Sequence, residues 1–247
     1  MPYYYYNDIY SLRYVLLIAA ILLTVIAQAR VSSNFRKYSS VRNRRGMTGA
    51  EAARRVLDAN GLSGVAVEQI RGSLTDHYDP SSNVERLYDP SKKVLRLSET
   101  VYGRESVAAV SVACHEAGHA LQDAENYGPL KLRNGMVPIV NFSSKFCWIL
   151  IFAGIILSAA GTYMAGWIFD IGIILFVAVI LFHLVTLPVE FNASRRAMDQ
   201  MELAGIIDSD EERGAKKVLS AAAMTYVASL AVAVAQLLRL LAMRGRD

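Results

Sequence analysis

Covalent cross-links do not hold this chain together. Its 247 residues include two cysteines, Cys114 and Cys147, far apart and in unlike surroundings, which is no disulfide framework. Histidine is scarce as well, with four in all, so any two that share a motif carry weight. The net charge of +4 comes without the interleaved aromatic and basic residues of a nucleic-acid module, and nucleic acid is not an expected partner. No second half repeats the first, which leaves little support for a repeat-built transporter. Also missing is an even spread of apolar residues. Hydrophobic side chains make up 53% of the chain, and they collect in four blocks.

The first block is Tyr14 to Ala29, flanked by Arg13 and Arg30. A nearly continuous tract from Phe146 to Val189 holds the second and third, divided near Gly161 to Gly166. The fourth runs from Val218 to Leu241, interrupted near its end by Arg239. A bilayer core takes about 20 mainly apolar residues in a helix, so the later blocks are long enough to span. The first is slightly short unless Arg13 and its neighbouring tyrosines lie in the interface. A cleaved signal peptide is the rival reading of that block. The start MPYYYYNDIY is not a basic leader, and the QAR end offers no small-residue cleavage pattern, so an uncleaved anchor is expected.

Basic residues cluster directly after the first block: Arg30, Arg36, Lys37, Arg42, Arg44, Arg45, Arg54 and Arg55. Short basic flanks mark the cytoplasmic side and can also meet anionic lipid head groups. The resulting topology has an outer tail (1–12), a span (13–30) and a cytoplasmic catalytic segment (31–145). Two spans follow (146–163 and 167–189), then a cytoplasmic segment (190–217), a fourth span (218–240) and a tail (241–247). Arg244 and Arg246 in that tail oppose the orientation mildly. The expected fold class is an α-helical integral membrane protein with about four transmembrane helices and a small cytoplasmic α/β catalytic part.

Within 31–145, Thr48 and Glu51 have capping-box spacing for a helix that Gly61 can end. Val65, Val67 and Gln69 to Ile70 suggest a short strand. The similar stretches YDPSSNVERL and YDPSKKVLRL pair turn chemistry with apolar positions, and predict a small hairpin or sheet ending in Val94 to Leu97. A helix is expected over roughly Arg104 to Gln122. Gly128, Pro129, Gly135 and Pro138 then predict an irregular segment before the second span.

The strongest local signal is CHEAGHA at residues 114–120. His115 and His119 lie one helical turn apart on one face, where two neutral imidazoles can bind one zinc ion. Glu116 beside them can take a proton from water, the H-E-x-x-H arrangement of metallopeptidases. The bland alternative is a pair of packing histidines. Cys114 is turned off the metal face by helical geometry and reads as a structural thiol.

A catalytic zinc needs a third protein ligand. Glu190 is the main candidate, because an even number of spans returns it to the interface of the histidine helix. His183, seven residues earlier and about 10 Å deeper on a continuous helix, competes, as does His77 in a turn-like DHYDP setting. Asp170 is a second intramembrane acid, read as a packing or interfacial group. Arg195 and Arg196 read as an ordinary positive flank, although they can also hold lipid phosphate, neutralise carboxylates or stabilise an oxyanion.

The segments VLRLSETVYGRESVAAVSVACHEAGHALQ, YGPLKLRNGMVPI and LPVEFNASRRA occur in order across most of residues 65–200. Together they resemble the YugP-like family of bacterial membrane zinc metallopeptidases, also called neutral zinc metallopeptidase family two. That family is similar in turn to the HtpX-like and CAAX-processing membrane peptidases. The resemblance implies a zincin-like catalytic part in a bacterial cell membrane and one catalytic Zn2+ ion. It implies zinc ligands His115, His119 and Glu190, with Glu116 as general base. It also implies an edge strand beside the cleft, for which VLRLS is the match, able to hold an extended substrate by strand addition. Around Ser82 to Lys92 the second YDPS stretch departs from the pattern as extra sequence.

The expected function is zinc-dependent hydrolysis of peptide bonds in membrane-associated proteins or peptides. The alternative is a non-catalytic scaffold or quality-control subunit with a structural metal site, which a fourth close ligand such as His77 would support.

Overall fold

The computed structural model describes residues 3–80 and 93–244, with side chains from Tyr14 onward. The extra sequence around Ser82 to Lys92 lies outside the described residues. In chain order the elements are α1 (Tyr3–Ser39), α2 (Gly49–Ala59), β1 (Ala66–Ile70), β2 (His77–Asp79), β3 (Val94–Ser98), α3 (Val107–Ala124), α4 (Gly128–Ala159), α5 (Ala165–Leu203) and α6 (Ser209–Arg244). Four of the helices, α1, α4, α5 and α6, are long and apolar enough to cross a membrane. The chain divides into two compact units. One comprises residues 1–27, 132–187 and 225–247, and the other 28–131 and 188–224.

The first unit contains the apolar lengths of those four helices. Its core is formed by Cys147 and Ile151 of α4, Phe169, Ile173 and Phe176 of α5, and Ala233 and Leu240 of α6. Helices α4 and α5 approach closely at Gly172, where an added Cβ would sit 2.8 Å from the Ile151 side chain. Small residues at such crossings let backbones touch where lipid supplies no hydrophobic drive. Ile149, Phe152, Ile156 and Ile174 are exposed, as befits faces turned to lipid. Asp170 accepts two hydrogen bonds from Arg244, at 2.7 and 3.1 Å, so this acid is paired within the unit.

The expected irregular segment after α3 is instead helical. Helix α4 begins at Gly128 and contains Pro138. Pro129 falls in the first turn, where its missing N–H has no partner to lose. An internal proline such as Pro138 is tolerated in spanning helices because neighbours and local adjustments re-satisfy the freed carbonyl. Likewise α5 passes through Pro188 and continues to Leu203.

The second unit is built from α2, the sheet, α3 and the adjoining ends of the long helices. Helix α2 starts at the expected capping box. Thr48 Oγ1 accepts from the Glu51 amide at 3.2 Å, and Glu51 Oε2 accepts from the Thr48 amide at 2.7 Å. Together these satisfy two otherwise orphaned donors. Its buried face (Ala52, Ala53, Val56 and Leu57) packs into a core with Leu95 and Leu97 of β3, Val110, Ala113, Cys114 and Ala117 of α3, Ala197 and Met201 of α5, and Leu219 of α6. Cys114 is fully buried there, and burial pushes its thiol pKa up, in keeping with a structural role.

The sheet has the order β1-β3-β2. β1 pairs with β3 in parallel, Ala66 opposite Val94 through Ile70 opposite Ser98. β2 pairs antiparallel, with His77 opposite Arg96 and Asp79 opposite Val94. VLRLS is therefore the central strand, paired on both sides, and the expected edge role does not fall to it. With four of its five residues buried, it is the strand a sheet places inside. Among the described residues the edge on the β2 side is three residues long.

Candidate metal centre

Helix α3 sets the first part of the site. Ser106 caps it, its hydroxyl accepting from the Ala109 amide at 3.2 Å. The 3.6-residue period then places His115 and His119 on one face, with ring centroids 4.9 Å apart and planes at 84°. Glu190 meets them from α5. Its Oε2 lies 3.3 Å from His115 Nε2 and 3.7 Å from His119 Nε2. One ligand atom from each of the three residues lies within 4.8 Å of the others. Glu190 and His119 are buried. A carboxylate at that depth is expensive unless paired or bound to a cation.

Gly118, between the two histidines, explains how α5 comes so near. A Cβ there would stand 2.7 Å from the Ala193 carbonyl oxygen, so any larger residue would push α5 off α3. This assigns the glycine of HEAGH a packing role at the site.

A hydrogen-bond chain fixes the chemistry of the rings. Arg196 is a donor only, and its Nε donates to Asn192 Oδ1 at 2.7 Å. Gln122 Nε2 donates to the same Oδ1 at 2.9 Å and to the Val189 carbonyl at 2.8 Å. Gln122 Oε1 is therefore the acceptor for His119 Nδ1, 3.0 Å away. The network places the proton of neutral His119 on Nδ1 and leaves the Nε2 lone pair pointing toward Glu190. His115 Nδ1 is similarly engaged, 3.2 Å from the Ser194 hydroxyl. Burial opposes protonation of His119, but the hydrogen bond that an added Nε2–H would give Glu190, and the charge of Glu116, outweigh it and raise its pKa.

Two imidazoles whose Nε2 atoms converge on one buried carboxylate form a donor set that suits zinc and leaves coordination positions for water or substrate. Glu116 does not join that set. Its Oε2 accepts a hydrogen bond from the Tyr78 amide of β2 at 3.1 Å. β2 is fastened to the end of α3 by Asp123, which accepts from the Tyr78 hydroxyl at 2.8 Å and from Lys93 at 2.6 Å. Burial, then Asp123, pushes the Tyr78 hydroxyl pKa up, so it stays a donor.

Three of the candidate ligands thus converge: His115, His119 and Glu190. His77 does not. It is exposed on β2 with Nδ1 2.9 Å from the Thr75 carbonyl, and among the described residues no fourth His, Cys, Asp or Glu joins the group. His183 belongs to the first unit and is not part of it. Arg196 neutralises Glu125 through a two-pronged contact at 2.6 and 2.8 Å, while Arg195 is exposed. Gln122, Asn192, Ser194 and Tyr78 were not legible as site residues. The available signal was spacing: Gln122 lies three residues past His119, and Ser194 four past Glu190, each one turn along its helix.

The model of a family described as "Putative neutral zinc metallopeptidase" matches residues 13–245. A Bacillus subtilis (strain 168) protein named "Putative membrane protease YugP" is 49% identical over 234 residues, covering 94% of this chain and 97% of that relative. No solved structure matches.

Proposed function

The chain belongs to the neutral zinc metallopeptidase family, and on that premise we propose that it is a zinc-dependent membrane endopeptidase. The observation that carries the proposal is the convergence of His115, His119 and Glu190 next to a glutamate that takes no part in the cluster. Bound between them, a zinc ion would supply Lewis acidity, easing deprotonation of water and polarising a peptide carbonyl.

The protein's own groups do the rest. Glu116 Oε2 receives the proton of the attacking water and later delivers it to the leaving amine. Until then the Tyr78 amide of β2 holds that oxygen. Gln122 keeps the His119 tautomer that presents Nε2, and Ser194 holds the His115 ring through its Nδ1. Burial around Glu190 keeps bulk water from solvating the carboxylate away from its partners.

Substrates are membrane-associated proteins or peptides near the inner surface. The basic flank after α1 supports this orientation. Labelling a single cysteine introduced at Asp58 tests it in intact cells, and reaction with an impermeant outside reagent would sink the orientation.

Function is tested by zinc content and peptide cleavage of the purified protein beside E116A and E190A. The expected result is one zinc per native chain, zinc retained but cleavage reduced roughly 10²–10⁴-fold in E116A, and both lost in E190A. Absence of zinc with identical behaviour in all three forms would refute the assignment.

A further inference from the structure

The first unit carries a groove of about 360 Å³ lined by Trp148 of α4, Phe176 and His183 of α5, and Ser229, Val232 and Gln236 of α6. Thr24 of α1 borders it. Its two hydroxyls are satisfied within their own helices, Thr24 donating to the Ala20 carbonyl and Ser229 to the Thr225 carbonyl. His183 and Gln236 differ. Both are half-buried, both line the groove, and among the described residues neither side chain has a hydrogen-bond partner.

Depth sharpens the point. His183 lies four residues inside the Leu187 end of this unit's part of α5, and Ser229 four inside the Thr225 end of its part of α6. Gln236 lies eleven residues from Thr225 and eight from the Arg244 end of α6, about 16 and 12 Å along the helix, which puts it well inside a spanning length of about 30 Å. An acyl chain offers nothing to either polar group, and lipid head groups do not reach the depth of Gln236. Hydrocarbon leaves such groups wanting a partner. A neighbouring helix with its own amide or hydroxyl side chain answers both requirements: apolar contact along Trp148, Phe176 and Val232, and a hydrogen bond at His183 or Gln236.

We propose that this groove docks a single transmembrane helix of the substrate, selected by a polar residue in its membrane-embedded half. The substrate sense of this proposal rests on the peptidase reading above.

The test uses full-length protein carrying E116Q, to prevent turnover, with a photocrosslinker replacing Val179 of the groove, reconstituted in phosphatidylcholine vesicles. Two model helices share the same flanks and a Leu/Ala span, and one carries a single Asn near mid-depth. The Asn helix is expected to crosslink roughly three- to tenfold more strongly. Replacing both polar groups (H183L with Q236L) is expected to erase that preference. Equal crosslinking of the two helices, a preference unchanged by the double replacement, or adducts only between copies of the protein would each overturn the proposal.

Soluble-peptide cleavage by the unmodified chain separates the two readings. Cleavage without helix preference overturns the groove alone. Helix preference in a protein that cleaves nothing supports the groove as a docking site and overturns the peptidase reading.

Discussion

Replacing Gln122 with Leu tests the claim that its network, and not the ligands alone, makes the metal centre. Gln122 is fully buried and makes three contacts, to His119 Nδ1 at 3.0 Å, the Val189 carbonyl at 2.8 Å and Asn192 Oδ1 at 2.9 Å. Leu keeps the volume and removes all three. Asn192 Oδ1 retains Arg196, and the Val189 carbonyl lies inside α5, where helical bonding remains open to it. The principal loss is the acceptor for His119 Nδ1–H. Leaving a buried donor unmade costs about 1–3 kcal/mol. The freed ring can then rotate or change tautomer, and loss of a ligand's hydrogen-bond partner weakens metal binding roughly 10–100-fold. That range is about 1.4–2.7 kcal/mol, so the two routes agree. The assay is zinc competition against a chelator of known affinity in detergent, with thermal unfolding of the metal-free form measured in parallel. A Q122L protein that folds and holds zinc within twofold of the native protein would refute the reasoning.

Other outcomes follow from the same geometry. G118A should force the Ala193 carbonyl aside, costing about 1–3 kcal/mol and lowering zinc occupancy; thermal melts and metal analysis report both. T48A removes one side of the α2 capping box and should cost about 1 kcal/mol of stability while zinc stoichiometry stays unchanged. H77A should leave zinc binding intact, because His77 is exposed, bonded to the Thr75 carbonyl and outside the cluster; loss of metal would indicate a fourth ligand. A chelator should abolish cleavage and added zinc should restore it, and activity that persists after metal analysis shows the protein zinc-free would exclude a metal-dependent reaction.

Local chemistry was the most legible part of this chain. The Thr48 and Glu51 pair sits at its expected capping positions, and the histidine spacing requires only a helix to work. Glu190 needed more. Nothing local distinguishes it from an ordinary helix-end carboxylate, and it was singled out by counting spans and by resemblance. The misreadings share one physical origin, that breakers and strands take their meaning from what surrounds them. Pro129 and Pro138 punctuate a soluble chain, but a first turn and a spanning helix absorb them. The pattern of VLRLS marks a strand without saying whether one or both of its edges are paired. β2, with only three residues, is too short to announce itself as the second neighbour of β3. Gln122 stayed hidden because a glutamine near the end of an amphipathic helix has no distinctive sequence context; its role arises from contacts made with α5.

The path from α3 to Glu190 has a consequence for how the protein is born. Two of the candidate ligands leave the ribosome on α3, and the third is made only after all of α4 and most of α5. A nascent or truncated chain ending before Glu190 therefore carries the HEAGH helix without a complete donor set. On the proposed reading, chain order alone withholds a complete metal site during synthesis, and the site is completed when the later helix settles against Gly118.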